Sequence, residues 1–497
     1  MPDAGSPKET PLDVLIIGAG FAGVCAAIKL REAGIENFRI FEKSMGVGGT
    51  WYDNTYPGAV CDVPSHLYCF SFEPNPNWSR VYSPQAEIRT YIEHCADKYG
   101  VRPFIENGRR INELRLDEAS GLWRVHFDDG AILSARHIIN CSGGLHEPNM
   151  PDLKGREKFP GIIMHTARWD HDVDFTGKRV AIIGSAASAI QIAPELAKKA
   201  DKLTIFQRTP NYIIQRGDRA YSNFTKNLFA AVPALAKLYR WFIFMRLELM
   251  IYPAIKKGSS RGAFLTKQII RHMRDVVDDP ALQERLIPAY DLGCKRVLVS
   301  DDFYQTLNRK NVELIPCAVD AFTKDGLLAA DGVTRDFDIV VCATGYDFHS
   351  HMISIDVVGE GGRRLSEEWA DMPEAYKGAC VAGYPNYYLA TGPNTGVGTT
   401  SVVYMLEQQM KLIVPMIKAS RSRLVSVRRE AQDKYNREIQ AALAETVWAA
   451  GGCKAWYQLP DGRISTLYPF NARTFAKQQS DIVLDDFETK EVIAPAT

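Results

Sequence analysis

The chain has 497 residues, more than one hydrophobic core organises, so two or three domains are expected. Its 46% apolar and 24% charged content is that of an ordinary globular protein, and 59 Lys and Arg balance 59 Asp and Glu. Zero net charge argues against nucleic acid as a main partner, because phosphate binding needs a basic excess.

The ten cysteines show no CxxC pair and no zinc spacing, and read as reduced, mostly buried thiols of a cytoplasmic protein without a metal site. Residues 1–11 are polar with Pro and Gly and are expected to form a disordered lead rather than a signal peptide. No run of eighteen uncharged apolar residues occurs. The nearest approach, Asn227 to Ile255, is interrupted by Lys237, Arg240, Arg246 and Glu248 and broken by Pro233 and Pro253.

Asp13 to Ile17 is an apolar, β-branched run and predicts a buried strand. It feeds into Gly18-Ala-Gly20-Phe21-Ala22-Gly23, then a helical pattern (Ala26, Ala27, Leu30, Ala33) stopped by Gly34. A second strand, Phe38 to Phe41, ends in Glu42 and Lys43. This is the strand, turn, helix, strand context of a dinucleotide fingerprint. Gly18 makes the turn, Gly20 admits the pyrophosphate and Gly23 lets helix pack on strand. Glu42 is placed to accept hydrogen bonds from a ribose.

A second glycine-rich loop follows, Gly46-Val-Gly-Gly49-Thr50-Trp51. A plain NAD site does not require it. It resembles the flavoprotein monooxygenase pattern, in which this loop lies along FAD. Next comes Tyr56-Pro-Gly-Ala-Val-Cys-Asp62, with Tyr68 six residues on. Gln85 to Tyr99 predicts a helix, and Trp123 to Phe127 followed by Asp128-Asp-Gly130 predicts a hairpin. Arg136 to Gly144 is a strand running into small residues, with His146 to Asn149 as a linker.

Phe159-Pro-Gly161-Ile-Ile-Met-His165-Thr-Ala-Arg-Trp169-Asp170 follows. On its own it reads as a Gly turn and an amphipathic linker with an interior histidine. As a string it matches F-x-G-x-x-x-H-x-x-x-W-D, and with the glycine loops it resembles the Baeyer–Villiger monooxygenase family. The resemblance implies that Asp62 sits near the flavin and partners an active-site arginine, and that Tyr68 approaches FAD. The well-known members carry an aromatic where Asp53 stands and often an Arg where Val60 stands, which puts inherited substrate preference in doubt.

Lys178 to Gly184 is again strand into turn, with Ser185, Ala186, Ser188 and Ala189 completing a degenerate second fingerprint. Its second strand, Leu203 to Phe206, ends in Gln207-Arg208-Thr209-Pro210 rather than an acid. Arg208 offers a bidentate partner for a 2′-phosphate, so NADPH is the expected reductant. The resemblance adds Thr209 to that phosphate site. Residues 219–290 are helical in period and apolar; channel lining, simple packing and weak peripheral membrane contact are the alternatives. In Asp291-Leu-Gly-Cys-Lys295-Arg296, the resemblance implies that Lys295 also reaches the phosphate and Arg296 enters the active site over the flavin. Phe337 to Cys342 predicts a strand, and Ala343-Thr344-Gly345 after it returns the chain to the flavin domain. A helix from Ser401 to Ile417 would cap the flavin. Gly452 to Pro469 resembles a flexible lid, and the last fifteen residues are expected to be loose.

The fold expected is α/β with two Rossmann-like domains: FAD-binding at 12–147 and 335–497, NADPH-binding at 148–334, with the helical insert at about 219–290. The resemblance implies an FAD- and NADPH-dependent enzyme that inserts one oxygen atom of O2 beside a ketone carbonyl through a C4a-peroxyflavin, giving an ester or lactone, with sulfides as a second substrate class. The alternatives are an N- or S-oxygenating flavin monooxygenase and a flavin reductase that inserts no oxygen.

Overall fold

Strands that are apolar on both faces need cover on both faces, and that requirement organises the chain. The computed structural model describes residues 10–347, 353–396, 398–420 and 423–491. Most of the expected lead, residues 1–9, lies outside them.

In Leu12–Ile17, Val14 and Ile16 face one core cluster while Leu15 and Ile17 face another, the alternation inherent in a strand. This strand pairs in parallel with Phe38–Glu42 on one side and Ile132–Asn140 on the other. Ile111–Asp117, Leu122–Phe127 and Ile132–Asn140 continue the sheet as antiparallel hairpins. Ile105–Asn107 closes one edge, Asp356–Val358 the other, and Tyr387–Leu389 pairs with Ile132–Asn140. Helices Phe21–Glu32 and Val402–Ala419 pack against each other on one face.

The second sheet has five parallel strands in the order Val312–Ile315, Lys202–Phe206, Arg179–Ile183, Ile339–Cys342, Ile162–His165. Val180 and Ile182 face one core, Ala181 and Ile183 the other. The expected domain boundary at 334/335 falls too early. Ile339–Cys342 is wholly buried between two strands of the second sheet, so the return to the first body comes only after it.

The helical insert comprises Asn223–Ala231, Pro233–Met250, Ser260–Val276 and Pro280–Arg285. No single helix among the described residues is long and apolar enough to cross a membrane. The C-terminus is not loose as far as Glu491. Phe487–Glu491 pairs antiparallel with Arg423–Val427, because Phe487 is buried in the first body's core.

Ile182 has no exposed surface. Ile182→Ala is expected to lower stability by about 2–5 kcal/mol through cavity formation, read as a lower urea midpoint in intrinsic fluorescence. An unchanged midpoint would remove this strand from the core.

Candidate functional site

The first fingerprint is a place where side chains do not fit. Gly18 has φ +95°, and a Cβ there would lie 2.8 Å from the Cys141 carbonyl oxygen. A Cβ on Gly23 would lie 1.9 Å from the Gly18 oxygen. Gly20 and Gly49 face each other: a Cβ on Gly49 would approach Gly20 Cα to 3.0 Å. The two glycine loops therefore meet backbone to backbone at the N-terminus of helix Phe21–Glu32, where Ala22 is buried and the free N–H groups favour an anion. Glu42 is buried and braces the turn: its carboxylate accepts N–H from Ala19 and from Ser44, each at 2.7 Å. Its remaining lone pairs leave it able to accept from a ribose as well. Lys43 pairs with Glu147 at 2.8 Å. Gly18, Glu42, Lys43, Ser142 and Arg109 line a small cavity here; Arg109 escaped the sequence reading, having no motif around it.

Beyond Gly49, Thr50–Asp53 forms one helical turn that carries Trp51 to Tyr68. The Trp51 indole N–H donates to the Tyr68 hydroxyl at 3.1 Å, and Phe21 meets the Tyr68 ring edge-on at 5.3 Å. Burial pushes the Tyr68 phenol well above its usual range, so it stays protonated.

Asp62 stands on the same loop, and Arg296 arrives from the far end of the insert. The Arg296 guanidinium donates to Asp62 Oδ2 at 2.6 Å, a charge-assisted bond between residues 234 positions apart. The Asp62 charge raises the already high pKa of Arg296. About half of the Arg296 side chain remains open to the cleft.

The second fingerprint repeats the geometry of the first. Gly184 has φ +115°, and a Cβ there would lie 2.5 Å from the Ala343 oxygen, as Gly18 abuts Cys141. Ala186 caps helix Ala187–Leu196 and Ala189 is fully buried. Ser185 is held by Asn211 and its hydroxyl donates to the Thr209 carbonyl. Ser188 lies against Tyr56. Lys295 is pushed below the usual lysine range by burial and by the neighbouring Arg208 charge. Neither cation has a carboxylate within salt-bridge distance among the described residues. Two adjacent cations without a counterion suit a dianionic phosphate.

The string at 159–170 is a brace. Phe159 is buried beside Phe322, and Gly161 has no room for a Cβ, which would lie 2.5 Å from both the Asp338 oxygen and the Phe159 ring. His165 accepts the Ala167 N–H through Nδ1 at 3.0 Å, and burial lowers its pKa to about 4, so the imidazole is neutral. Its ring rests against Tyr346. Trp169 stacks on Phe175 at 5.3 Å and exposed Asp170 accepts from the Asp172 N–H. Tyr346 in turn bridges Pro148, while Asn149 N–H donates to Gly345 and Thr344 Oγ1 to Asn149. The string thus holds the two crossovers between the sheets side by side.

Three links escaped the sequence reading. The Arg240 Nη1 donates to the carbonyls of His66, Leu67 and Cys69 at 2.9, 3.0 and 2.9 Å, clamping the loop that carries Tyr68. Gln191 receives the Tyr56 hydroxyl at 2.8 Å and donates to Val60 at 3.0 Å, docking one body on the other. Cys294 and Cys453 form a disulfide, correcting the expectation of ten free thiols. With Asp291 N–H bonded to Gly451 and Tyr457 and Tyr468 buried, Gly452 to Pro469 is anchored rather than a free flap.

Residues 15–229 match the family described as pyridine nucleotide-disulphide oxidoreductase. A Baeyer–Villiger monooxygenase of Streptomyces coelicolor is 39% identical over 97% of this chain and 93% of its own length. One of Pseudomonas aeruginosa is 40% identical over 92% and 87%. Among solved structures, OTEMO in complex with FAD and NADP superposes with a TM-score of 0.87 at 27% identity, covering 97% of this chain and 100% of that one. With near-full-length identity at this level, the chain belongs to the Baeyer–Villiger monooxygenase family.

Proposed function

We propose that this chain converts a ketone, O2, NADPH and a proton into an ester or lactone, NADP⁺ and water. The observation that carries the reading is the Asp62–Arg296 pair at 2.6 Å, closed across the cleft between the two fingerprints. FAD fits the first body: the Gly18–Gly23 and Gly46–Gly49 loops form a cradle that a Cβ at Gly49 would fill, with Glu42 and Lys43 beyond it and Phe21, Thr50, Trp51 and Tyr68 beside it. NADPH fits the second: Arg208, Thr209 and Lys295 would hold the 2′-phosphate, and Gly184 to Ala189 the pyrophosphate. We assign FAD to 12–147 and to the chain beyond Gly345, and NADPH to 148–345. When bound, these groups supply hydride and activated oxygen.

The protein supplies charge and shelter. Arg296 presents a positive charge that does not titrate at working pH, aimed where oxyanion character develops on the substrate carbonyl. Asp62 holds the guanidinium in place and balances it. Arg240 positions the loop that bears Tyr68. A thioether in the same cleft would accept the oxygen atom as a sulfoxide, which makes sulfides the second substrate class to test.

Arg296→Ala is expected to cut ester formation by about 3–4 kcal/mol, roughly a hundredfold or more, while FAD content survives and residual NADPH oxidation ends in hydrogen peroxide. Arg296→Lys should rescue only in part, since an ammonium lacks the planar fork. The measurement is ester and peroxide yield per NADPH with a ketone the parent enzyme accepts; near-parental coupling in Arg296→Ala would refute the assignment.

Arg208→Ala is expected to raise the KM for NADPH roughly tenfold to a hundredfold, the loss of one charge-assisted phosphate contact, and to leave that for NADH nearly unchanged. Equal sensitivity to both nucleotides would place Arg208 away from the 2′-phosphate.

A further inference from the structure

The outer face of the helical insert is built the wrong way round for water. On Pro233–Met250, Leu235, Leu238, Phe242 and Leu249 recur at i, i+3, i+7 and i+14, one stripe of a helix. A helix of a water-soluble fold turns such a stripe inward. Here all four are exposed, and the buried positions are Ala236, Ile243 and Glu248. Phe224, Trp241 and Phe264 extend the surface onto the neighbouring helices and flank, each between 57% and 75% exposed. Apolar surface on this scale marks an interaction site.

The charge of this stretch of chain is one-sided. Between Arg219 and Arg271 stand ten Lys and Arg and a single carboxylate, Glu248, in a chain whose net charge is zero. Glu248 is buried and accepts the Ala472 N–H, so it does not offset the field outside. Lys237, Arg246, Lys256, Lys257 and Lys267 are exposed and have no salt-bridge partner among the described residues. The shape suits a plane. Asn223–Ala231 and Pro233–Ile255 pass together for a span by length and composition but bend by 109° between them, so they do not form one straight crossing helix.

We propose that this face docks on the surface of an anionic phospholipid bilayer, with the aromatic and Leu side chains seated among the acyl chains and the Lys and Arg side chains among the phosphates. Charge decides between this occupant and a second copy of the chain. A two-fold pairing would set this cationic insert against itself, whereas an anionic headgroup layer complements its exposed cations. The proposal is independent of the oxygenation reading, since none of these outward-facing side chains belongs to the cofactor sites.

The test uses the full-length FAD-loaded enzyme. It is sedimented with vesicles of phosphatidylcholine alone and of phosphatidylcholine mixed with phosphatidylglycerol, at low and high salt, with light scattering on the free protein. The parent protein should bind the anionic vesicles about tenfold or more tightly than the neutral ones and lose that margin in high salt. Lys237→Glu/Lys256→Glu/Lys257→Glu should abolish the preference for anionic vesicles. Leu238→Ser/Trp241→Ser/Phe242→Ser should weaken binding to both. Both variants should keep the parent's NADPH oxidation rate, which shows that they fold and separates failure here from failure of the catalytic assignment. Parent protein left in the supernatant with anionic vesicles, or binding unchanged in both variants, would overturn the proposal. So would a dimer in solution that the apolar variant dissociates.

Discussion

One ion pair depends on nearly everything else in the molecule being in place. Asp62 belongs to a loop of the first body and Arg296 to a segment that follows the insert of the second, and they meet at 2.6 Å. Neither residue can be brought to the other by local structure. The loop must be set by Arg240, which holds the carbonyls of His66, Leu67 and Cys69 on either side of Tyr68. The bodies must be docked through Tyr56, Val60 and Gln191. A Cβ on Gly58 would lie 2.4 Å from the Gln191 carbonyl oxygen, so even the turn between Tyr56 and Val60 is shaped by the helix it rests on. The arginine proposed to meet charge on the substrate owes its place to docking rather than to its own chain neighbours.

How much of this could be read from the amino-acid sequence follows from range. Strands such as Leu12–Ile17 and Arg179–Ile183 announce themselves because burial on both faces demands unbroken apolar residues. The glycines at 18, 23 and 184 were legible because the conflict each avoids lies within the fingerprint or against the adjoining strand end. Glu42 was legible as an acid at the end of a strand, but its work of bracing Ala19 and Ser44 was not, since a carboxylate has more than one use. Arg240 looked like an interruption in an apolar run. Its meaning lies in a loop about 170 positions earlier, and no periodicity carries that information. The Cys294–Cys453 bond was invisible for the same reason: two cysteines 159 residues apart have no spacing to read.

The string at 159–170 teaches a related lesson about motifs. Its residues were placed by pattern, yet their contacts are those of a scaffold: a glycine with no room for a Cβ, a neutral buried histidine, a tryptophan stacked on Phe175. Among the described residues, no hydrogen bond or ion pair joins these side chains to Arg296 or Asp62. A pattern can mark a family because it braces the crossovers between two sheets.

The crossovers at Pro148 and Tyr346 run antiparallel and bonded to each other, with Asn149 tied to Gly345 and Asp347 to Glu147. The chain therefore passes between the two bodies as a two-stranded ribbon at one place, and the Cys294–Cys453 bond ties them at a second, two residues before Arg296. Bodies fastened at two separated points do not swing freely about either one. Arg296 is thus held at the cleft from both sides, by the covalent link to the chain beyond Gly345 and by its ion pair with Asp62. A protein nicked in both strands of the ribbon would still carry residues 148–345 covalently on its C-terminal segment.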